Sequence, residues 1–458
     1  MKLRLMIFFL ALFAMANIGL GQEFEKMDTL KLSLKDARNY AMEFNRDIKS
    51  AKIDVELAKK KVWETTTIGL PNATLSANYQ HQFTVPEVSF GPVLDFSGLV
   101  NQSTISGQDL LDSYKEAPPV QLGVKDNTTF TFQVSQLIFN GEYIVGLQAS
   151  KVYKELSEKS LIVSELKTAE TVSTSYYLVL VLDENIAILK ENSSLLAKTL
   201  SEVTKMHEVG YTEDTDVDQL KINLSTLETS IISLEGQRKV ANDLLKIQMG
   251  VDLDKPVVLT DSISGLIDQG NYTEEPVFNL ENSINYQLLE TSEALMSLSL
   301  KREKWKFLPT ISAFYQHQKL LNEPAFNFMP KDIIGVTASI PLFTSGQRLS
   351  KVKQAELDLD KARLTKEQAG SGLLLEFNSA LNTYETAQKN YNTNKESKDL
   401  SKKIYDKNLI KYKEGIISSL DLTQSQSQYL TAQGNYYKSV MEFLNAKAAL
   451  DRILSTKY

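Results

Sequence analysis

The sequence predicts a mainly α-helical protein with a small β component, built from two copies of one helix, hairpin, helix and helix unit. Three observations support this fold class. Glycine and proline are scarce, at 20 and 11 residues in 458, and polar helix formers fill long stretches. The tetrapeptide YQHQ occurs twice, beginning at Tyr79 and at Tyr315, and further matches follow each copy in the same order. Short segments in both copies alternate between apolar and polar residues, which is the periodicity of strands.

Matched segments divide the chain into four parts. The segment HEVGYTEDTDVDQ, which starts at His207, aligns with YKEGIISSLDLTQ, which starts at Tyr412. Matches that recur in the same order indicate two copies of one structural unit. The predicted parts are a signal peptide at 1–21, a first repeat at 22–250, a linker at 251–278 and a second repeat at 279–458.

Each repeat is predicted to contain an opening helix, two strands, a long helix, a tip turn and a returning helix. Pro71 and Pro309 fit the end of a helix that is followed by an extended segment. The predicted opening helices are 33–66 and 280–307, the strands about 72–85, 128–139, 310–319 and 332–343, the long helices about 142–207 and 347–412, and the tip turns about 208–215 and 413–420. Gly210 and Gly415 lie in these turns, where glycine accommodates a tight reversal of the backbone.

The predicted strands have one apolar and one polar face. In the first strand the apolar face carries Leu75, Ala77, Tyr79, His81, Phe83 and Val85. Such strands suit either a half-buried soluble sheet or a membrane barrel, in which about 9–11 tilted residues span the bilayer.

The returning helix of the first copy favours the membrane interpretation. Its apolar residues have the spacing of a narrow coiled-coil seam; they are Leu220, Leu224, Leu227, Ile231 and Leu234. Helices that pair through such seams leave no wide apolar face for the sheet, so lipid is expected to cover it. Four strands cannot close a membrane barrel, because even the smallest have about eight. Several protomers are therefore expected to share one barrel, and three would give twelve strands together with twelve helical columns.

The first residues of the chain predict export. Lys2 and Arg4 precede an apolar run at 5–16, and Gly19 and Gly21 are small residues suited to cleavage. The alternative, an N-terminal membrane anchor, is disfavoured because the run is shorter than the about 20 residues that a spanning helix needs.

Composition excludes several classes of function. The chain has no cysteine, which excludes disulfides, thiolate metal sites and catalytic thiols. The formal net charge of −7 argues against a nucleic-acid partner. We find no cluster of histidine and carboxylate residues, no glycine-rich phosphate loop and no nucleophile motif in the sequence. Neither an enzyme nor a bound cofactor or metal is therefore expected.

With these elements in place, the chain resembles the outer membrane factor family of TolC-like efflux proteins. The resemblance covers the whole mature sequence and includes the duplicated unit, the proline before each first strand, the SIPLF run at Ser339–Phe343 and the Y-x-x-G-x-x-S-x-x-D pattern at Tyr412–Asp421. It implies a homotrimer in which each protomer contributes four strands to a shared twelve-stranded β-barrel in the outer membrane, with a long coiled-coil α-barrel that crosses the periplasm as a helical tunnel. It also implies a passive exit duct of a tripartite efflux pump or a type I secretion system, which docks with a periplasmic adaptor (membrane fusion) protein and an inner-membrane transporter. The alternative function is a soluble exported coiled-coil adaptor or scaffold.

The resemblance also implies a constriction at the periplasmic tip. Asp421 matches the first of the acidic residues that line it, whereas Gln424 stands where a second acid is often found. Asp216 and Asp218 of the first copy supply negative charge at the same level. An alternative role for Asp216 and Asp421 is to stabilise the positive N-terminal ends of the returning helices.

Two further expectations concern the strands. Tyr79, Tyr315, His81 and His317 are predicted to face lipid near the membrane boundary, where tyrosine is favoured. A metal-binding role for the histidines is the alternative. The long loop at 86–127 joins the first two strands and forms either a lid over the outer mouth or an exposed surface loop.

Overall fold

The computed structural model describes residues 29–455 except 90, 96, 98–103, 105, 116–118, 269–271, 273–275, 325, 326 and 328. The predicted signal peptide at 1–21 lies outside the described residues. The helices are α1 Leu34–Phe44, α2 Arg46–Thr67, α3 Gly107–Asp112, α4 Gly141–Glu208, α5 Asp214–Met249, α6 Ile263–Asp268, α7 Ile284–Trp305, α8 Gln347–Lys413 and α9 Ser419–Leu454. The strands are β1 Leu30–Leu32, β2 Asn72–His81, β3 Glu87–Val88, β4 Val93–Leu94, β5 Tyr114–Lys115, β6 Val120–Gln121, β7 Asp126–Asn140, β8 Val257–Leu259, β9 Thr310–Leu320 and β10 Asp332–Ser339.

The chain forms two compact units that do not coincide with the two sequence repeats. The sheet unit consists of the described parts of Glu56–Glu155 and Thr291–Leu364, and the helical unit of those of Met1–Val55, Leu156–Glu290 and Thr365–Tyr458. Each unit therefore contains elements of both repeats. The reason is strand pairing, since β7 of the first copy pairs with β9 of the second.

The sheet unit contains an antiparallel sheet with the strand order β10, β9, β7, β2. The β2–β7 and β9–β10 hairpins come from the first and the second copy, and β7–β9 pairing joins them. Within the described residues, β2 and β10 each pair with one strand of this sheet, so both are edge strands.

The helices of the sheet unit follow the same order as its strands. The Tyr143 hydroxyl of α4 donates a hydrogen bond to the Thr66 carbonyl oxygen of α2, at 3.2 Å. Lys301 of α7 bonds the α4 side chain of Gln148, and Arg363 of α8 pairs with Glu293 of α7 at 3.1 Å. The order is therefore α2, α4, α7, α8, and each helix is continuous in sequence with the corresponding strand.

Two predicted strands end earlier than expected. The first strand, predicted at about 72–85, ends at His81, after which the chain enters the short β3–β6 and β4–β5 ladders. The fourth, predicted to end at about 343, ends at Ser339. Pro341 follows closely and has no backbone N–H to donate to a ladder, which explains this end.

The first opening helix, predicted as one helix at 33–66, is two helices. Ser33 caps α1 and is followed by Asp36, with which it forms a reciprocal capping box. Asn45 separates α1 from α2, because its side-chain oxygen accepts hydrogen bonds from the N–H groups of Asp47 and Ile48. An asparagine that caps the start of a second helix interrupts the first.

The core of the helical unit surrounds the middle of α4. Its apolar segment at 172–182 is mostly buried, and Tyr176 is fully buried. The predicted linker at 251–278 is part of this core, because β8 pairs in parallel with β1, and Ile263, Leu266 and Ile267 are buried. The linker is therefore packed against the core at β8 and α6.

Candidate functional site

Both tip turns have the geometry that glycine permits. Gly210 and Gly415 have φ angles of +81° and +72°, in the left-handed region. The Gly210 N–H bonds the carbonyl oxygen of His207, and the next N–H, of Tyr211, reaches back to Met206. The second copy repeats this pair of bonds at Gly415 and Ile416. Each long helix thus ends in a left-handed glycine cap, which explains why glycine occupies this position in both copies.

Asp421 is held at the start of α9. The Ser418 side-chain oxygen accepts a hydrogen bond from the Asp421 N–H, and an Asp421 carboxylate oxygen accepts one from the Ser418 N–H, each at 3.2 Å. This is a capping box. The hydrogen bonds from the Ser418 side chain and backbone lower the pKa of Asp421. The helix-end role considered for Asp421 is therefore present, and the carboxylate remains exposed.

The corresponding start of α5 is built differently. Glu213 occupies the capping position but its side chain makes no capping hydrogen bond. Asp216 stands where Asp421 stands in α9, and its N–H bonds the Glu213 carbonyl oxygen at 3.3 Å. Asp218 pairs with Lys221 at 3.0 Å. Burial, and secondarily the charge of Asp216, raises the pKa of Tyr412 to about 12.

The first and second copies meet close to the tip turns. The Asn223 side chain of α5 donates to the Thr423 hydroxyl of α9 at 2.9 Å, beside the exposed Gln424. Lys413 of α8 pairs with Glu202 of α4 at 2.8 Å. No hydrogen bond or ion pair among the described residues joins Asp216, Asp218, Asp421 and Gln424 to one another. The predicted constriction residues are therefore separate exposed or half-buried groups within one chain.

The repeated YQHQ segment forms the same cluster twice. The Tyr79 hydroxyl donates to Asp126 Oδ1 at 2.8 Å, and His81 Nδ1 lies 2.8 Å from the same oxygen. In the second copy, Tyr315 and His317 contact Asp332 Oδ1 at 2.7 and 2.8 Å.

Sequence reasoning missed both aspartates. Their signal was available, because Lys125 and Lys331 precede them as the same Lys-Asp pair in the two copies. Both Lys carbonyl oxygens accept a 2.7 Å hydrogen bond from the glutamine that follows each histidine.

The clusters lie on the apolar face of the sheet. Their register places Tyr79 opposite Thr128 and Tyr315 opposite Val134, so the two clusters are staggered along β7. On the same face Leu75, Ile334 and Val336 are 74%, 84% and 72% exposed, which shows that the described part of the chain does not cover them.

The opposite face of the sheet is rich in amides and hydroxyls. Its members on the four strands are Asn72, Thr74, Ser76, Asn78, Gln80, Asn127, Thr129, Thr131, Gln133, Ser135, Asn140, Thr310, Ser312, Gln316, Gln318, Thr337 and Ser339, with Leu137, Phe314, Leu320, Ile333 and Gly335. None of these residues is charged. A sheet with one uncovered apolar face and one uncharged polar face suits the boundary between lipid and an aqueous lumen.

Comparisons with known proteins agree with this geometry. Residues 306–456 match the family model of the outer membrane efflux protein, a segment that contains β9, β10, α8 and α9. A search of curated proteins finds no match.

Solved structures of outer-membrane channels share the fold. The channel-forming protein CusC aligns with a TM-score of 0.73 at 14% identity, over 93% of each chain. The CmeC outer membrane channel of Campylobacter jejuni aligns at 0.71 and 17%, over 92% of this chain and 85% of that chain. VceC, an outer membrane protein of Vibrio cholerae, aligns at 0.68 and 16%, over 92% and 95%. The resemblance to the outer membrane efflux protein family is therefore confirmed, by the family model over the second repeat and by the fold over most of the chain.

Proposed function

We propose that this protein is a passive exit duct of the outer membrane, formed by three copies of the chain, which serves a tripartite efflux pump or a type I secretion system. The family match and the shared fold support an efflux channel. The observation that carries the proposal is the sheet, which has four antiparallel strands, an uncovered apolar face and two edges. Lipid covers the apolar face, and the polar face lines the lumen.

The two edges explain why several copies are needed. Within lipid, each unpaired backbone N–H and C=O group is costly, so a sheet with edges cannot remain open. Pairing of β2 of one copy with β10 of the next removes both edges, and three copies give twelve strands. In the same way α2 of one copy lies next to α8 of the following copy, because helices and strands share one order in the sheet unit.

The proposed placement gives each of the remaining site residues a position relative to the membrane. Tyr79, Tyr315, His81 and His317 mark the outer boundary of the lipid. The tip turns extend into the periplasm, where a membrane fusion protein and an inner-membrane transporter dock.

The exposed carboxylate of Asp421 favours cations at the tip. Asp421→Asn keeps a side-chain oxygen for the cap but removes the charge, so it is expected to lower cation preference in single-channel recordings. Unchanged selectivity would reject this role.

A crosslinking experiment tests the shared barrel directly. The chain has no cysteine, so introduced cysteines report only the chosen contact. Ser76→Cys on β2 and Thr337→Cys on β10 lie on the same face of opposite edges, and a short bis-maleimide is expected to give covalent trimers. Thr131→Cys with Thr337→Cys is the control, because Thr131 lies on the inner strand β7. If the Ser76→Cys, Thr337→Cys variant gives no covalent trimers in membranes and so behaves like the control, the proposal is rejected.

The alternative, a soluble exported adaptor, makes the opposite prediction. It requires a cover for the apolar face, which the described residues do not provide. Fractionation separates the two functions: extraction from the outer membrane only with detergent supports the duct, and release as free periplasmic protein supports the adaptor.

A further inference from the structure

The facing sides of α8 and α9 carry a row of mostly aromatic side chains, one in every heptad, which we call the aromatic ladder. On α8 its members are Phe377, Tyr384, Tyr391, Lys398, Tyr405 and Tyr412, and on α9 they are Leu422, Tyr429, Tyr436, Phe443 and Leu450. The ring centroids of Tyr384 and Phe443 are 5.5 Å apart, and those of Tyr405 and Tyr429 are 5.8 Å apart. Such distances are those of interacting aromatic pairs.

Lys398 is the charged member of this ladder. Its ammonium group lies 4.2 Å from the centroid of the Tyr436 ring and 3.1 Å from Asp399 Oδ1. A cation above an aromatic face is attracted to it, but an ammonium group remains hydrated and cannot stack as a ring does. The ladder therefore continues through Lys398 with a weaker apolar contact.

The apolar core is interrupted at the same level. Tyr384, Tyr391 and Phe443 belong to the large core cluster of the helical unit. Tyr405 and Tyr429 belong to a separate cluster that includes the helix ends next to the tip turns. Lys398 lies between these two clusters in α8.

A half-open cavity of about 630 Å³, most of whose lining residues are polar, lies at this level between α4, α8 and α9. Lys398, Tyr429, Gln433 and Asn192 are among its lining residues. Gln433 is 1% exposed, and its side-chain oxygen has no hydrogen-bond partner among the described residues. A cavity and an unpaired buried polar atom both weaken packing at this level.

We propose that Lys398 divides the α8–α9 hairpin into two cooperative segments, so that the segment at 399–432 opens while the remainder of the hairpin stays folded. Cooperative units of different stability are separated where buried apolar contacts are few, as they are here. The opening segment carries the tip turn with Asp421 and Gln424, so its significance for passage through a duct rests on the proposed function. The first-copy hairpin, α4–α5, also ends in a tip turn and its helix α4 lines the same cavity, but the buried residues that join this hairpin toward its tip turn include no charged member.

Hydrogen exchange of the purified full-length protein tests the division. We expect amide protection in α8 and α9 to fall by about tenfold or more in one step at Lys398 toward the tip turn, whereas protection along α4–α5 declines gradually. Lys398→Tyr completes the ladder and is expected to slow exchange at 399–432 by about tenfold. Exchange at 377–391 is expected to remain unchanged. Lys398→Met, which adds apolar area without a ring, is expected to have a smaller effect in the same direction.

Lys407→Tyr is the matched control, because Lys407 is an exposed residue of the same helix. It is expected to leave the step in place. Uniform protection along α8–α9, an equal step in α4–α5, or equal effects of Lys398→Tyr and Lys407→Tyr would overturn the proposal. Exchange is measured without reference to transport, so a protein that shows the step but forms no trimer would contradict the proposed function and leave the division standing.

Discussion

The two helical hairpins of the chain have nearly equal dimensions but are held together by different side chains. The long helices α4 and α8 have 68 and 67 residues, and the returning helices α5 and α9 have 36 each. Toward its tip turn, the α4–α5 hairpin is joined by aliphatic residues such as Leu189, Leu196 and Leu227. The α8–α9 hairpin is joined by the aromatic ladder, which Lys398 interrupts.

This difference shows which property of a seam determines helix pairing. Heptad spacing places one buried residue per two turns on the same side of a helix, whether that residue is leucine or tyrosine. Residue identity then determines how evenly the seam is stabilised. Tyrosine contributes a large apolar area but carries a hydroxyl group that must remain protonated or find a partner when it is buried.

The largest expected effect comes from removal of one aromatic member. Tyr405 is 2% exposed and stacks on Tyr429, so Tyr405→Ala is expected to lower the free energy of unfolding by about 3–5 kcal/mol. The midpoint of denaturant unfolding in detergent measures it. Tyr211→Ala at an 80% exposed position is the control and should change little. If both variants unfold at the wild-type midpoint, the ladder does not hold the hairpin.

Alkaline pH should distinguish the two hairpins. Burial raises the pKa of Tyr405 and of Tyr412 to about 12, above the value of about 10 in an unfolded chain. The folded state therefore binds more protons in this interval, and stability that is complete below about pH 10 is lost as pH rises to about 12. The loss at the upper end is about 2–3 kcal/mol per tyrosine.

Circular dichroism and tyrosinate absorbance between pH 8 and about 12 measure this loss. Phenylalanine at both positions should remove the share of Tyr405 and Tyr412, because it keeps the ring and lacks the ionisable hydroxyl. The share of Tyr436 and Tyr437, whose pKa burial also raises, should remain. The facing parts of α4 and α5 near their tip turn contain no tyrosine. An equal alkaline loss of hydrogen-exchange protection in these parts of α4 and α5 would contradict the comparison.

The helix caps provide a smaller and reciprocal test. Ser418→Ala removes the capping box of α9 and is expected to cost about 1 kcal/mol. Glu213→Ser places a serine before Asp216 with the same spacing, and is expected to stabilise α5 by about 0.5–1 kcal/mol. Unfolding midpoints and local hydrogen exchange measure both. The comparison fails here if Glu213→Ser leaves exchange at the start of α5 unaltered.

The smallest effect is expected at the ion pair that joins the two long helices. Lys413 and Glu202 are 2.8 Å apart, and the hydrogen bond from Lys413 lowers the pKa of Glu202. Because both side chains are well exposed, Lys413→Met should cost no more than about 1 kcal/mol, and less at high salt. Melting temperatures of the wild type and of Lys413→Met at two salt concentrations measure this loss and its salt dependence. A large, salt-independent loss would show that Lys413 has a packing role instead.

Local patterns allowed much of this fold to be predicted. Alternation located all four long strands, and the ends of the long helices lie within a residue or two of their predicted positions. The strand ends at His81 and Ser339 were wrong, because alternation continues into residues that leave the sheet. The capping box is visible in the sequence as Ser418 followed three residues later by Asp421, and the ladder as tyrosines at seven-residue steps, although a coiled-coil seam was predicted only from aliphatic residues.

The candidate site was less accessible to sequence reasoning. Tyr79 and His81 were identified as a repeated pair, yet their partner Asp126 lies on another strand. The interruption at Lys398 depends on Gln433, which is far away in the chain. These contacts follow from the pairing of remote segments.

By itself, the sequence determined the duplication, the type of each long element and the placement of glycine in the tip turns, because periodicity and backbone preference act within a few residues. Only the tertiary structure decided that both copies contribute to one sheet with edges at β2 and β10, and that Lys398 lies between two separate core clusters of the second hairpin. The physical reason is that edges, cavities and interruptions of a core arise from contacts between distant segments, which no local pattern encodes.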